Sequence, residues 1–373
     1  MKAISFPPWN RRRIPAIIDA IVKKSSSHNL RRQNLELLGR ELRLGKERTG
    51  ALPAVLYLEA TATCNLKCPM CPTTMGLPRD PYRTKLLDLE LLPRLEPALP
   101  FVARCFLSGG GEPLLHPRLF ELVRELKRHE IEVHFNCNAT LLDQERARLM
   151  IESGVDTVSF SIDGATAETY EKIRVGAEFE KTLENLRRLS RLKSELKSRT
   201  PFMNLQFTLL DQNVSDLEGI APLAASLGIN HLVIEPLTPV FCFDDQYRAF
   251  YQKHRAPPEL VLDRIRKAEE TARSLGLVFS SHYLFSEDHP EPARTCIQPW
   301  LTFGVRVDGR VFTCCGTLEP MGDLAEDSFD EIWNGPAYRE LRRTIASGRF
   351  PEFCSHCIAE NRANHFSRDL VPE

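Results

Sequence analysis

The 373-residue sequence has no apolar run approaching the length of a membrane-spanning helix, so nothing in it predicts a span. It shows no internal repeat and no low-complexity segment, which sets aside solenoids, propellers and disordered arrays. The first residues include arginines but no apolar stretch leading to a small-residue cleavage site. No secretory signal is therefore expected, and the cytoplasm is the default compartment. Net charge is lacking too, at −1 overall. That balance hides an asymmetry: residues 1–50 hold twelve Lys/Arg against four Asp/Glu, or +8, leaving −9 for the remainder. A basic leader can meet an anionic membrane surface, a nucleic acid or an acidic partner. A helical face packed on the main body is expected ahead of membrane contact, and no nucleic-acid partner is expected.

What the chain does have is cysteine. Eleven is a high number for a reducing compartment, where thiols stay free and clustered cysteines ligate metal more often than they pair. Three stand at Cys64, Cys68 and Cys71; five more fall in the tail, at Cys296, Cys314, Cys315, Cys354 and Cys357.

From residue 54, apolar stretches such as AVLYLEA and FVARCFLSG alternate with segments of helical spacing. Six strands are read before residue 237, too few for a closed eight-stranded barrel. Such alternation predicts an α/β fold with a parallel sheet, either an open partial barrel or a doubly wound sheet. Helices are expected over LDLELLPRLEPAL, near 178–198, at 259–275 and near 337–347, and a β-hairpin turned at Asp308-Gly309. The expected divisions are a basic helical extension over 1–50, a core over 51–240, a linker with a helix over 241–293 and a small α+β tail over 294–373.

The first cysteine group, C-x3-C-x2-C, follows the first strand at once, and parallel sheets place ligands at the carboxyl ends of strands. Three thiolates at this spacing can hold three corners of a four-iron cluster, leaving one iron open to a small molecule. Zinc would close its shell with a fourth Cys or His, and no His lies in this loop. Pro69 and Pro72 disfavour a helix through it.

The stretch CNLKCPMC resembles the cluster-binding motif of the radical S-adenosylmethionine (SAM) superfamily. Three later stretches resemble that family in order. SGGGEPLLHP supplies Gly110, Gly111 and Glu112 where the family receives the methionine amino group. NCNATLL supplies Asn138, with Cys137 and Ala139 where the family has Thr and Gly. SFSIDG carries Ser159, Ser161 and Asp163 at period two, so that all three share a sheet face. The resemblance makes Ser161 and Asp163 contacts to the cofactor ribose, and allows Arg174 to pair with the cofactor carboxylate or the substrate. It implies a partial (β/α)6 barrel and the cofactors SAM and a 4Fe-4S cluster on Cys64, Cys68 and Cys71.

The tail, with FGVRVDGRVFTCC and FCSHC, resembles the SPASM or twitch domain of the same superfamily. This implies one auxiliary 4Fe-4S cluster on Cys296, Cys314, Cys354 and Cys357, Cys314 being preferred to Cys315. Spacing alone also admits a zinc ribbon. The resemblance implies reductive cleavage of SAM to a 5′-deoxyadenosyl radical, which abstracts hydrogen from a substrate. The expected reaction is oxidation of a small polar metabolite such as a sugar or aminocyclitol, with a flavodoxin or ferredoxin as electron donor. Epimerisation, with Cys242 as hydrogen donor, and peptide modification are the alternative reactions; a zinc-stabilised binding module and an electron carrier are the non-catalytic ones. Oxidation needs a proton acceptor. Glu235, at the end of the sixth strand, is the first candidate, beside Arg174, His282, Asp244 and Asp245.

Overall fold

Side-chain alternation along short strands sets the architecture. In β1 (Val55–Leu58), Leu56 and Leu58 are buried on one face and Tyr57 stands on the other. The pattern continues through β2 (Arg104–Phe106), β3 (Glu132–Cys137), β4 (Thr157–Ser161), β5 (Phe202–Leu209) and β6 (His231–Pro236). These strands pair in parallel in chain order. The register aligns Cys137, Phe160, Leu205 and Leu232 along one face, all buried. It aligns Ser159 with Asn204, Ser161 with Gln206, and Thr208 with Glu235 along the other. A doubly wound sheet would bury both faces in apolar contacts. One apolar face and one polar face instead describe a partial barrel with a polar lumen.

The structure, a computed structural model, describes residues 29–77, 84–284, 296–314, 316–317 and 319–354. Its helices are α1 (Asn29–Arg43), α2 (Leu119–Arg128), α3 (Gln144–Glu152), α4 (Ala167–Ile173), α5 (Phe179–Glu195), α6 (Leu217–Ser226), α7 (Asp245–His254) and α8 (Pro258–Ser274). Shorter α9 (Gln298–Leu301) and α10 (Phe329–Trp333) precede α11 (Pro336–Ala346). Amphipathic spacing is plain in α2, whose Leu119, Leu122, Val123 and Leu126 make one buried stripe.

One expectation is corrected. The stretch LDLELLPRLEPAL is not an α-helix; it forms 3-10 turns at Leu89–Leu95 and Leu99–Phe101. Pro93, Pro97 and Pro100 lack the amides an α-helical ladder requires. The six strands are joined by a seventh parallel one, β7 (Val278–Ser281), paired to β6. Its four residues are too few to show a period.

The tail joins the same sheet. β8 (Thr302–Val305) pairs in parallel with β1 on the side opposite β2, and β9 (Arg310–Phe312) and β10 (Gly322–Asp323) follow antiparallel. Gly309, at φ +88°, makes the expected hairpin turn, a backbone region open to glycine at little cost.

The described part of the basic extension straps the two ends together. Leu35, Leu38 and Leu42 of α1 share an apolar cluster with Val55, Trp300, Leu301, Leu341 and Ile345. Buried Arg31 donates to the carbonyls of Glu130, His129 and Pro100, around the C-terminal end of α2. Residues 1–28 of the expected extension lie outside the described residues. Among the described residues no helix is long and apolar enough to cross a membrane. Replacing Leu38, 3% exposed, by Ala leaves a cavity between α1 and the tail. The expected loss of about 2–5 kcal/mol is checked by denaturant unfolding of the two proteins.

Candidate functional site

The loop after β1 is shaped by its own backbone. Cys71 N donates to Cys68 O, Lys67 N to Val175 O, and Leu66 N lies 3.4 Å from Cys64 Sγ. Cys68 is buried; Cys64 and Cys71 are half-buried. Burial raises the Cys64 thiol and pushes Cys68 up to about 11, with Arg174 pulling both the other way. Among the described residues no three His, Cys, Asp or Glu side chains converge on a single ion. A four-iron cluster asks for something else, since each thiolate takes a different iron. Three spaced thiols without a histidine fit that donor set.

Beside them lies the glycine loop. Glu112 N donates to Thr63 O at 2.8 Å, and a Cβ on Gly111 would sit 2.3 Å from that carbonyl and 2.5 Å from Thr61 O. Gly110 is held at both ends: its amide donates to Glu59 Oε1 at 2.6 Å, and its carbonyl accepts from Thr73 Oγ1 at 2.6 Å. The buried Glu112 carboxylate accepts from the amides of Leu114 and Asn138, so it fixes two loops to each other. Burial raises its pKa, against the pull of those amides.

Asn138 is buried, with Nδ2 on Asn65 Oδ1 at 2.9 Å and 3.9 Å from Cys64 Sγ. Its Oδ1 accepts from Thr140. Ala139 stands at φ +61° where the resembling family has glycine, so the loop keeps the left-handed turn at a strain of about 1 kcal/mol.

Asp163 lies two residues beyond β4 and is fully buried. Its Oδ1 accepts from Thr208 N at 2.7 Å, and its Oδ2 faces Arg174 Nε at 2.5 Å as an ion pair rather than an aligned hydrogen bond. Arg174 Nη1 is 3.9 Å from Cys68 Sγ. Burial alone would lower the Arg174 pKa, but Asp163 and Cys68 together raise it. Ser161 is half-buried on the lumen face, opposite Gln206. Ser159 sits deeper: its hydroxyl meets His134 Nε2 and accepts from Asn204 Nδ2, each at 3.0 Å.

The proton-acceptor candidates separate. Glu235 falls on the lumen face, as its alternation predicts. Asp244 caps α7 by accepting from Tyr247 N, and Asp245 pairs with Arg248 on the surface. Both are thereby accounted for without the lumen. His282 is buried at the end of β7. Cys242, 2% exposed, belongs to the main apolar cluster, where it packs as a small apolar side chain.

In the tail, Cys296 stands just before α9, Cys314 just after β9, and Cys354 ends the last described turn. Burial pushes Cys296 up to about 12, with Cys314 adding to the effect, and Cys354 rises by burial and the nearby Cys296 and Cys314. Cys315 and Cys357 lie outside the described residues.

Four residues escaped the sequence reading. Glu59 and Thr73 hold the glycine loop, and His134 and Asn204 line the lumen. Glu59 carried a signal, a carboxylate ending an otherwise apolar strand. The other three looked like ordinary loop or strand residues.

Gly111→Ala drives its Cβ into backbone, which cannot yield as a side chain can. The expected outcome is loss of SAM binding by equilibrium dialysis, with the iron content of the reconstituted protein retained. Asp163→Asn leaves Arg174 buried without its counter-charge. A loss of about 3–5 kcal/mol is expected in denaturant unfolding, where a surface pair would show less than about 1 kcal/mol.

Comparison with known proteins bears on these loops. The model of the radical SAM superfamily matches residues 58–218, and that of an iron-sulfur cluster-binding domain, SPASM, matches 296–358. The chain is 30% identical over 330 residues to the mycofactocin maturase MftC of Mycolicibacterium smegmatis, covering 82% of this chain and 75% of that protein. It is 29% identical over 189 residues to a tungsten-containing aldehyde ferredoxin oxidoreductase cofactor-modifying protein of Pyrococcus furiosus, about half of each chain at 50% and 52%. The fold is similar to that of Streptococcus suis SuiB, crystallised with precursor peptide SuiA. There the TM-score is 0.63 at 13% identity, covering 89% of this chain and 74% of that one. With the family's loops assembled in one sheet and a curated relative matched across most of both lengths, the chain belongs to the radical SAM superfamily and bears a SPASM iron–sulfur cluster-binding domain.

Proposed function

We propose that this radical SAM enzyme oxidises a peptide substrate held against the polar lumen face of its partial barrel. The observation that carries the reading is the similarity to a maturase over 82% of the chain, spanning both cysteine-bearing regions. In this reading Cys64, Cys68 and Cys71 hold the SAM-binding 4Fe-4S cluster, and Cys296, Cys314, Cys354 and Cys357 hold one auxiliary cluster. Bound in the first loop, a reduced cluster would supply the electron for reductive cleavage of SAM, and the auxiliary cluster would take the electron left on the substrate after hydrogen abstraction. The protein's own part is orientation. Gly110 and Gly111 bring their backbone against the cysteine loop, where it would meet the methionine amino group, Asn138 and Ser161 flank the nucleoside, and Asp163 holds Arg174 beside Cys68. Glu235 stands on the lumen face as proton acceptor for the oxidised group. A reducing, cytoplasmic setting and a flavodoxin- or ferredoxin-type donor complete the proposal.

A small polar metabolite is the second substrate reading. It is favoured by the lumen itself, where His134, Ser159, Asn204, Gln206 and Glu235 offer hydrogen-bonding groups to a hydroxyl-rich molecule.

The test begins with anaerobically reconstituted wild type and a Cys64/Cys68/Cys71→Ala variant. About eight irons per chain should fall to about four, and 5′-deoxyadenosine formed with SAM and dithionite should disappear. Four irons in the wild type and none in the variant would remove the auxiliary cluster, and with it the oxidation. Peptides, sugars and aminocyclitols are then compared for product lighter by two hydrogens. Turnover of sugars or aminocyclitols alone would replace the peptide reading with the metabolite one.

A further inference from the structure

We infer that Glu59 couples the SAM-binding loop to the C-terminal iron–sulfur domain, so that SAM affinity depends on the tail hairpin and the hairpin's stability on SAM. The inference asks only that the chain bind SAM, not what it does with the radical. Glu59 follows β1, and its backbone amide donates to Val305 O at 2.9 Å, continuing the β1–β8 ladder by one residue. Its side chain, 3% exposed, reaches both ways. Oε1 accepts from Gly110 N at 2.6 Å, in the loop that receives the cofactor's amino group, and Oε2 accepts from Val307 N at 3.3 Å, in the β8–β9 turn. The fit is tight: a Cβ on Gly109 would lie 2.3 Å from Glu59 Cγ.

The connection extends in both directions. The Gly110 carbonyl accepts from Thr73, two residues beyond Cys71, so one residue is held through its amide by Glu59 and through its carbonyl by the cysteine loop. On the far side, β9 leads within two residues to Cys314. A buried carboxylate shared by two backbone amides loses a charge-assisted bond if either amide withdraws. Displacement of the β8–β9 turn therefore loosens the carboxylate that holds the Gly110 amide, and a ligand fixing Gly110 steadies the same carboxylate against the turn. Such coupling is reciprocal by thermodynamic necessity and typically amounts to 5–150-fold in affinity. Glu59 touches no reacting atom here; it is a positioning residue.

The experiment uses the anaerobically reconstituted full chain, with SAM as probe and hydrogen exchange as a readout independent of turnover. In wild type, SAM should slow amide exchange across residues 302–312. Glu59→Gln turns one acceptor oxygen into a donor facing a donor amide. The dissociation constant for SAM should rise about tenfold, and the SAM-dependent protection of 302–312 should vanish, at unchanged iron content. Val307→Pro removes the amide on the tail side and leaves Glu59 and Gly110 in place, so it should weaken SAM binding from outside the cofactor loop. Exchange over 302–312 indifferent to SAM in wild type would overturn the inference without any variant. Unchanged SAM affinity in Val307→Pro would do the same even if Glu59→Gln failed to fold.

Discussion

Everything in the site hangs from the hydrogen bonding of one four-residue strand on both its edges. Val55–Leu58 pairs with β2 on one side and with β8 on the other, both in parallel. The cysteine loop leaves from its carboxyl end, the glycine loop from the same end of β2, and the tail hairpin from that of β8. The strand can hold this place only because Leu56 and Leu58 are buried on its outer face, each contributing about 1.5–3 kcal/mol. Its position, rather than its length, brings two distant cysteine groups into one sheet.

The loops above it are closed by hydrogen bonds to backbone groups, most of them from side chains of neighbouring loops. Thr63 holds Glu112, Glu112 holds Asn138, Thr73 and Glu59 hold Gly110. Such a site pays its ordering entropy during folding rather than at binding, which is the general route to affinity without added contacts. The tolerated strain at Ala139 belongs to the same account. Asn185 Nδ2 donates to Ala139 O at 2.9 Å and Ala139 N lies 3.2 Å from Cys137 Sγ, so both ends of the left-handed residue are tied.

The parts legible in the sequence were those with strict spacing or strict sterics. The three cysteines could be read because their spacing is their chemistry, and the β8–β9 turn because Asp308-Gly309 admits few alternatives. Alternation in β6 predicts the sheet face of Glu235, and the register aligns it with Thr208. What could not be read were consequences of contact between distant segments. Asp163 looked like an open acceptor because its sequence neighbours do not reveal Thr208 or Arg174. Asp244 looked like a possible base because helix capping depends on where a helix begins. The stretch LDLELLPRLEPAL has an apolar period compatible with a helix, but Pro93 and Pro97 within it remove the amides an α-helical ladder needs.

Charge explains why Arg174 belongs where it is. Three thiolates in a partly buried loop are costly unless a cation stands near, because burial disfavours each negative charge. Arginine suits this better than lysine, since desolvation does not deprotonate it and its planar head can face two anions at once. Arg174 does so, with Nε toward Asp163 and Nη1 toward Cys68. Asp163 also makes the buried cation tolerable when the loop carries neutral thiols, as burial would otherwise strand it. Arg174 thus favours the ionised form of Cys64 and Cys68 against the effect of their burial. The Thr208 amide, donating to Asp163 Oδ1 at 2.7 Å, holds that carboxylate toward Arg174.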